Sequence, residues 1–272
     1  VGVEGQKEAE KEADAEHFVG YLGLEVWHQD GRTWGRAIIR PEMWATGTRR
    51  PRLGLLFTLA DILGGSPPTG ALTPTVDLRF QLLTAAPSEG EILMEARPLK
   101  IGRRLWTGEV LFRTPGTADL FARCEFSFLN QGFADMPGGL RPPGRSDGAV
   151  SPLPVASFDE LFRMRMLEDG TTEMDPHTAV RNGVVGTIQG GAQATMVEVA
   201  AERALADRGR FLVADLQLRY LSTLKTGPAV ARPEVLPGDD LRPVVRVSIT
   251  DGGADDRLVS TAIAVCRSDP ST

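Results

Sequence analysis

The chain has 272 residues, 42% hydrophobic and 24% charged, with 36 acidic side chains against 30 basic ones and a net charge of −6. That length allows one large domain or two of ordinary size, with enough apolar material for a packed core. The mild acidity and the lack of a long basic block argue against nucleic-acid binding, and no apolar run approaches the ~20 residues of a membrane-spanning helix. The only two cysteines, Cys124 and Cys266, each sit in a strand-like run, as in a reduced, cytoplasmic chain. With three histidines (His17, His28, His177) and neither CxxC nor HExxH, a zinc site or a Ser-His-Asp triad has little to work with.

The elements follow in chain order. Segment 1–16 is rich in Glu and Lys, lacks a signal-peptide pattern, and reads as a flexible, solvated stretch. Strands at 21–27 and 33–40 flank HQDGR as a hairpin. An apolar helix occupies 53–63. A strand at 75–83 puts Val76, Leu78, Phe80 and Leu82 on one face, and strands follow at 91–99, 107–113 and 120–129. Segment 130–157 has 10 Gly or Pro among its 28 residues and no periodicity, so it is a linker.

The same order then returns. A helix runs from Gly190 to about Asp207, a strand at 214–221 carries Leu216, Leu218 and Tyr220, and further strands lie at 229–236, 244–250 and from Leu258. Asp77 and Asp215 are 138 residues apart, as are Leu120 and Leu258, so the chain is an internal repeat. The division is 1–16, a first domain 17–129, the linker 130–157, a second domain 158–267 and a tail 268–272. Helix followed by strands implies an α+β class with an antiparallel sheet wrapped on each helix. One helix cannot cover such a sheet, so the two halves must pair.

Each helix carries one acid in an apolar setting. Asp61 is the only charged residue between Leu53 and Ser66, and Glu198 the only one between Gly183 and Ala201. Burying an unpaired carboxylate is expensive, and twofold occurrence asks for a reason beyond packing. The second helix opens Gln189-Gly190-Gly191, and the first opens Arg52-Leu53-Gly54. Glycines at a helix start allow close approach to unbonded N–H groups, or simply a tight helix–strand contact.

This pattern resembles the hotdog fold and, more narrowly, the acyl-CoA thioesterases of the phenylacetic-acid-pathway type, in which the helix opens His-Gly-Gly. Gln189 and Arg52 stand where that family has its His. The resemblance covers 18–129 and 160–267. It implies a double hotdog, two long helices each wrapped by an antiparallel sheet, with the sheets joined edge to edge. It also implies hydrolysis of an acyl-CoA or related thioester with no metal or other cofactor, coenzyme A being part of the substrate. Further pairing into a homo-oligomer is expected.

By the same resemblance each site takes its acid and a hydroxyl from one half and its helix-start donors from the other. The first combines Asp61 and Thr75 with Gln189, Gly190 and Gly191, and with Asn182, which lies one residue further from Gly190 than the family's Asn. The second combines Glu198 with Arg52 and Gly54. It lacks a second Gly, and Val213 replaces the hydroxyl, so the first is expected to be the active one. Asp61 would act as general base or as nucleophile. Lys100, Arg103 and Arg104 cluster at a strand turn, either as a solvated turn or as contacts to coenzyme A phosphates. The rival readings are a non-catalytic acyl-CoA-binding or structural protein and, less favoured because no His lies near either helix, an acyl-thioester hydratase or dehydratase.

Overall fold

The computed structural model describes residues 17–66, 74–129, 152–182 and 186–269. Segment 1–16, most of the expected linker (130–151) and the last three residues lie outside the described residues.

Among the described residues fourteen strands and three α-helices follow one another. The strands are β1 Glu25–Gln29, β2 Arg32–Ile39, β3 Thr75–Leu82, β4 Gly90–Ile101, β5 Leu105–Arg113, β6 Leu120–Leu129, β7 Arg165–Met166, β8 Thr172–Met174, β9 Arg181–Asn182, β10 Thr187–Ile188, β11 Phe211–Tyr220, β12 Ala229–Val235, β13 Val244–Asp251 and β14 Arg257–Ser268. The helices are α1 Leu53–Gly64, the one-turn α2 Phe158–Phe162, and α3 Gly190–Ala204. Twelve strands form one antiparallel sheet in the order β1-β2-β4-β5-β6-β3-β11-β14-β13-β12-β8-β7.

One expected strand begins late. Tyr21 and Leu22 belong to a 3₁₀ turn, Phe18–Leu22, in which His17 Nδ1 accepts from the Val19 N–H and Gly23 closes the turn at φ 62°. The positive φ, easy only for glycine, turns the chain before the strand starts. Phe18, Val19, Tyr21 and Leu22 all enter the core instead of alternating.

The halves meet along β3 and β11. Arg79 pairs with Gln217, its own counterpart 138 residues on, so a pseudo-twofold axis passes through that pair. Polar side chains close the seam reciprocally. Asp215 accepts from Arg79 and Gln81, and Asp77 accepts from Gln217 and Arg219. Elsewhere the outward sheet face carries cross-strand ion pairs such as Arg36–Glu25 and Arg246–Glu234. Such exposed pairs add little energy each, but they mark the face that meets water.

Both helices lie on the inner face. Every residue of α1 from Leu53 to Asp61 is buried, as the all-round apolar sequence requires. Beneath it stands an aromatic layer of Phe80, Phe112, Phe126, Phe128 and Trp106. The alanine-rich α3 rests on smaller aliphatic side chains, among them Val245, Val247, Ala262 and Ala264.

The two helices touch directly and run antiparallel. Gly54 of α1 lies on the backbone of Thr195, and Gly191 of α3 lies on the Thr58 side chain. A Cβ at either glycine would overlap its neighbour. Each threonine turns its hydroxyl back onto its own helix, Thr58 to the Gly54 carbonyl and Thr195 to the Gly191 carbonyl. No polar group is therefore left bare at the crossing.

A single methyl tests this contact. Gly191→Ala is expected to cost about 1–3 kcal/mol by overpacking. Adding Thr58→Ala recovers only part of the loss, because the Thr58 Cβ would still lie 2.7 Å from the new methyl. Denaturant unfolding of the two single variants and the double variant measures the coupling.

Candidate active site

Because α1 and α3 cross antiparallel with their N-terminal turns in contact, an acid two turns into one helix faces the start of the other. Asp61 and Glu198 hold equivalent places, and the structure treats them in opposite ways.

Glu198 reaches across. Its two carboxylate oxygens accept from the Leu53 N–H at 3.0 Å and the Gly54 N–H at 2.8 Å, capping α1. Arg52, at the N-cap of α1, cannot cap, since a guanidinium has no acceptor. It turns to acids instead, bidentate to Asp159 at 2.8 Å and bonded to Glu202 at 2.7 Å, with Glu198 at 3.7 Å. Burial raises Glu198 above the usual carboxylate range, and the neighbouring Glu202 adds to this. The cavity beside it, lined by Leu53, Leu82, Val213, Glu198 and Glu202 among others, measures about 30 Å³. That is room for a water or two and no acyl chain.

Asp61 stays on its own side. It is one methylene shorter than Glu198, and the start of α3 is already capped. Gln189 Oε1 accepts from the Gly191 N–H and from the Ala192 N–H at 3.2 Å, leaving out the first N–H of the helix, that of Gly190. Asp61 Oδ1 accepts from the Thr75 hydroxyl at 2.7 Å, and among the described residues no cation approaches the carboxylate. Only 9% of the residue is exposed. Burial lifts its pKa to about 6, against the opposing pull of the Thr75 hydrogen bond. A carboxylate of this kind is ionised at neutral pH yet more basic than an ordinary aspartate.

Several expected site residues find other work. Gly54 and Gly191 are spent on helix packing, and their N–H groups are taken by Glu198 and Gln189. A ligand approach at those two positions gives way to the helix crossing. Gln189 is half-buried, and its amide oxygen is the cap, so only its NH₂ end remains as a donor. Asn182 lies half-buried in β9, paired with Thr187 of β10, and its carbonyl accepts from Gly186. Lys100, Arg103 and Arg104 are exposed at the tip of the β4–β5 hairpin.

One residue of the site escaped sequence reasoning. Tyr220, at the end of β11, places its hydroxyl against Gly190, and a Cβ built there would lie 2.6 Å from the phenol oxygen. The available signal was in the repeat, where Tyr220 stands opposite Leu82. Among the described residues no cluster of His, Cys, Asp and Glu forms a metal site, and no helix is long and apolar enough to cross a membrane.

No family model and no curated protein matches the sequence. Solved structures do match in fold. The tesB protein of Mycobacterium avium subsp. paratuberculosis is 14% identical over 93% of this chain and 98% of its own, with a TM-score of 0.64. A conserved protein of unknown function with the hot dog fold from Alicyclobacillus acidocaldarius is 14% identical over 94% and 98%, with a TM-score of 0.60. The 12:0-ACP thioesterase of Umbellularia californica is 15% identical over 89% and 100%, with a TM-score of 0.57. The chain therefore has the fold of hotdog proteins, and in structure it is similar to thioesterases among them.

The two acids differ in a measurable way. Asp61 titrates higher in the folded chain than in the unfolded one, so the stability it contributes is full below pH 4 and is lost as pH rises through 6. Asp61→Asn is expected to be more stable than wild type above pH 7 by about 1–3 kcal/mol, the gap closing below pH 4. Glu198→Ala leaves two helix N–H groups unpaired and is expected to lose about 2–4 kcal/mol. Melting curves at pH 4, 6 and 8 separate the two.

Proposed function

We propose that the chain is a double hotdog thioester hydrolase acting on acyl-CoA. Its halves span 17–129 and 158–267, joined by 130–157, and one working site takes residues from both. Asp61 carries this reading: a buried carboxylate with no cation beside it among the described residues, poised near pH 6 and held by one hydroxyl. Unlike Glu198, it caps no helix, so its second oxygen is left for a substrate or water. The fold points the same way, since the tesB and 12:0-ACP thioesterase structures share it.

In this reading Thr75 fixes Oδ1, and Oδ2 faces the attacking water. Asp61 takes the water's proton as the oxygen adds to the thioester carbon. The Gly190 N–H, at the positive end of α3, polarises the carbonyl. Attack by Asp61 itself, through an anhydride, would use the same atoms. A single turnover in oxygen-18 water tests the anhydride route. Unlabelled acid from the first turnover, with the label left in Asp61, marks the nucleophile, whereas labelled acid is expected of the general base and equally of an anhydride opened at its acyl carbon.

The basic hairpin tip suits the nucleotide end of coenzyme A. Thr75, Phe128, Trp106 and Ile101 sit on successive strands. Three strand spacings place the tip roughly 14 Å from Thr75. Leu99 and Ile101, each 68% exposed, provide apolar surface beside the cations.

Thiol release against a panel of acyl-CoA chain lengths tests the activity, and binding without turnover would favour the non-catalytic reading. Asp61→Asn is expected to lower kcat by about 10²–10⁴, with Thr75→Val falling between it and wild type. Because the ionised form is the base, kcat/KM is expected to rise with pH through about 6 and then level off. Glu198→Gln, which keeps an acceptor for α1, is expected to change kcat little.

A further inference from the structure

We propose that Tyr220 is a catalytic hydrogen-bond donor of the Asp61 site, its phenol O–H holding the substrate carbonyl oxygen beside the Gly190 N–H. This rests on the thioesterase reading above and adds the group that would meet the developing negative charge.

The first observation is an unmet hydrogen bond. The Tyr220 hydroxyl is wholly shielded from solvent and has no partner among the described residues. Leaving a buried hydroxyl unpaired costs about 1–3 kcal/mol, so a ligand atom that accepts from it restores a missing interaction.

The second observation is placement. The hydroxyl lies on Gly190, the first residue of α3, and any side chain there would collide with it. Gly190 is thus glycine for the sake of Tyr220, and the phenol O–H and the helix's first N–H share one corner.

The third observation comes from the pseudo-twofold axis. In the closed half-site, Leu82, Val213, Glu198 and Leu53 line one small cavity. Their counterparts in the other half-site are Tyr220, Thr75, Asp61 and Gly190. Tyr220 therefore faces the same space as Asp61 and Thr75, and a donor replaces an apolar side chain only where the acid is free. Burial, and after it the Asp61 charge, hold the phenol well above its ordinary pKa. It stays protonated at working pH, so its O–H is there to donate.

The step balances without moving that proton. Water oxygen bonds to the carbonyl carbon while Asp61 takes a water proton, and the carbonyl π pair moves onto oxygen, facing Tyr220 and Gly190. Collapse restores the C=O, breaks the C–S bond, and the thiolate leaves with the proton from Asp61.

Tyr220→Phe, which keeps the ring, tests the proposal. Loss of one oxyanion donor is expected to lower kcat by about 10²–10³. KM is expected to rise by about 5–10-fold, the pH profile to keep its rise near 6, and Tm to hold or increase because an unpaired hydroxyl is gone. Full activity in Tyr220→Phe beside active wild type and inactive Asp61→Asn would overturn the donor role and leave the thioesterase reading intact. If wild type turns nothing over, that reading fails, and a methyl-ketone analogue of acyl-CoA, its sulfur replaced by CH₂, decides the donor role by calorimetry. Wild type is then expected to bind about 5–10-fold more tightly than Tyr220→Phe. Equal affinity, or no binding to either, overturns the proposal.

Discussion

The antiparallel contact of α1 and α3 governs the chemistry available to this protein. Two glycines, Gly54 and Gly191, let the helix backbones come within reach of the facing threonines. At that separation a side chain on one helix can touch the first turn of the other. Bulkier residues at the crossing would move each acid away from the opposite helix start, and the sheet beneath could not restore the distance.

From this symmetric frame, small covalent differences produce unlike sites. A helix start needs an acceptor. Gln189 supplies one to α3 from its own chain, so the acid opposite is released. Arg52 supplies none to α1, so Glu198 is drawn in, and a network of Arg52, Asp159 and Glu202 grows around it. One methylene separates Glu198 from Asp61, enough to span the gap in one half and leave it open in the other. The closed half uses its acid to cap α1, and the open half keeps an acid bonded to one hydroxyl.

Much of this was legible in the sequence because it depends on spacing. The repeat fixed the equivalence of Asp61 with Glu198 and of Thr75 with Val213, and alternation located β3 and β11 to within a few residues. Thr75 as the partner of Asp61 followed from the resemblance and appears as a hydrogen bond. What the sequence hid depends on side-chain conformation across the helix crossing. That Gln189 folds back to cap its own helix, and that Glu198 reaches Gly54, are matters of rotamer and length. Tyr220 went unremarked because an aromatic ring on an inward strand face is ordinarily core, and only its unpaired hydroxyl sets it apart. Tyr21 and Leu22, the end of the 3₁₀ turn, read as the start of a strand because two residues are too few to show a period.

The seam between β3 and β11 also sets a timetable for the ribosome. β3 emerges with β6 to cover one side, but its other edge waits for β11, whose pairing residue follows 138 positions later. At roughly 5–20 residues per second, that edge stays open for about 7–28 s of synthesis. An open, apolar edge strand invites pairing with other nascent chains. Asp77, Arg79 and Gln81, which later bond across the seam, line the waiting strand with charge and amide. The side chains that join the finished halves thus also keep the first half apart from strangers until its partner is made.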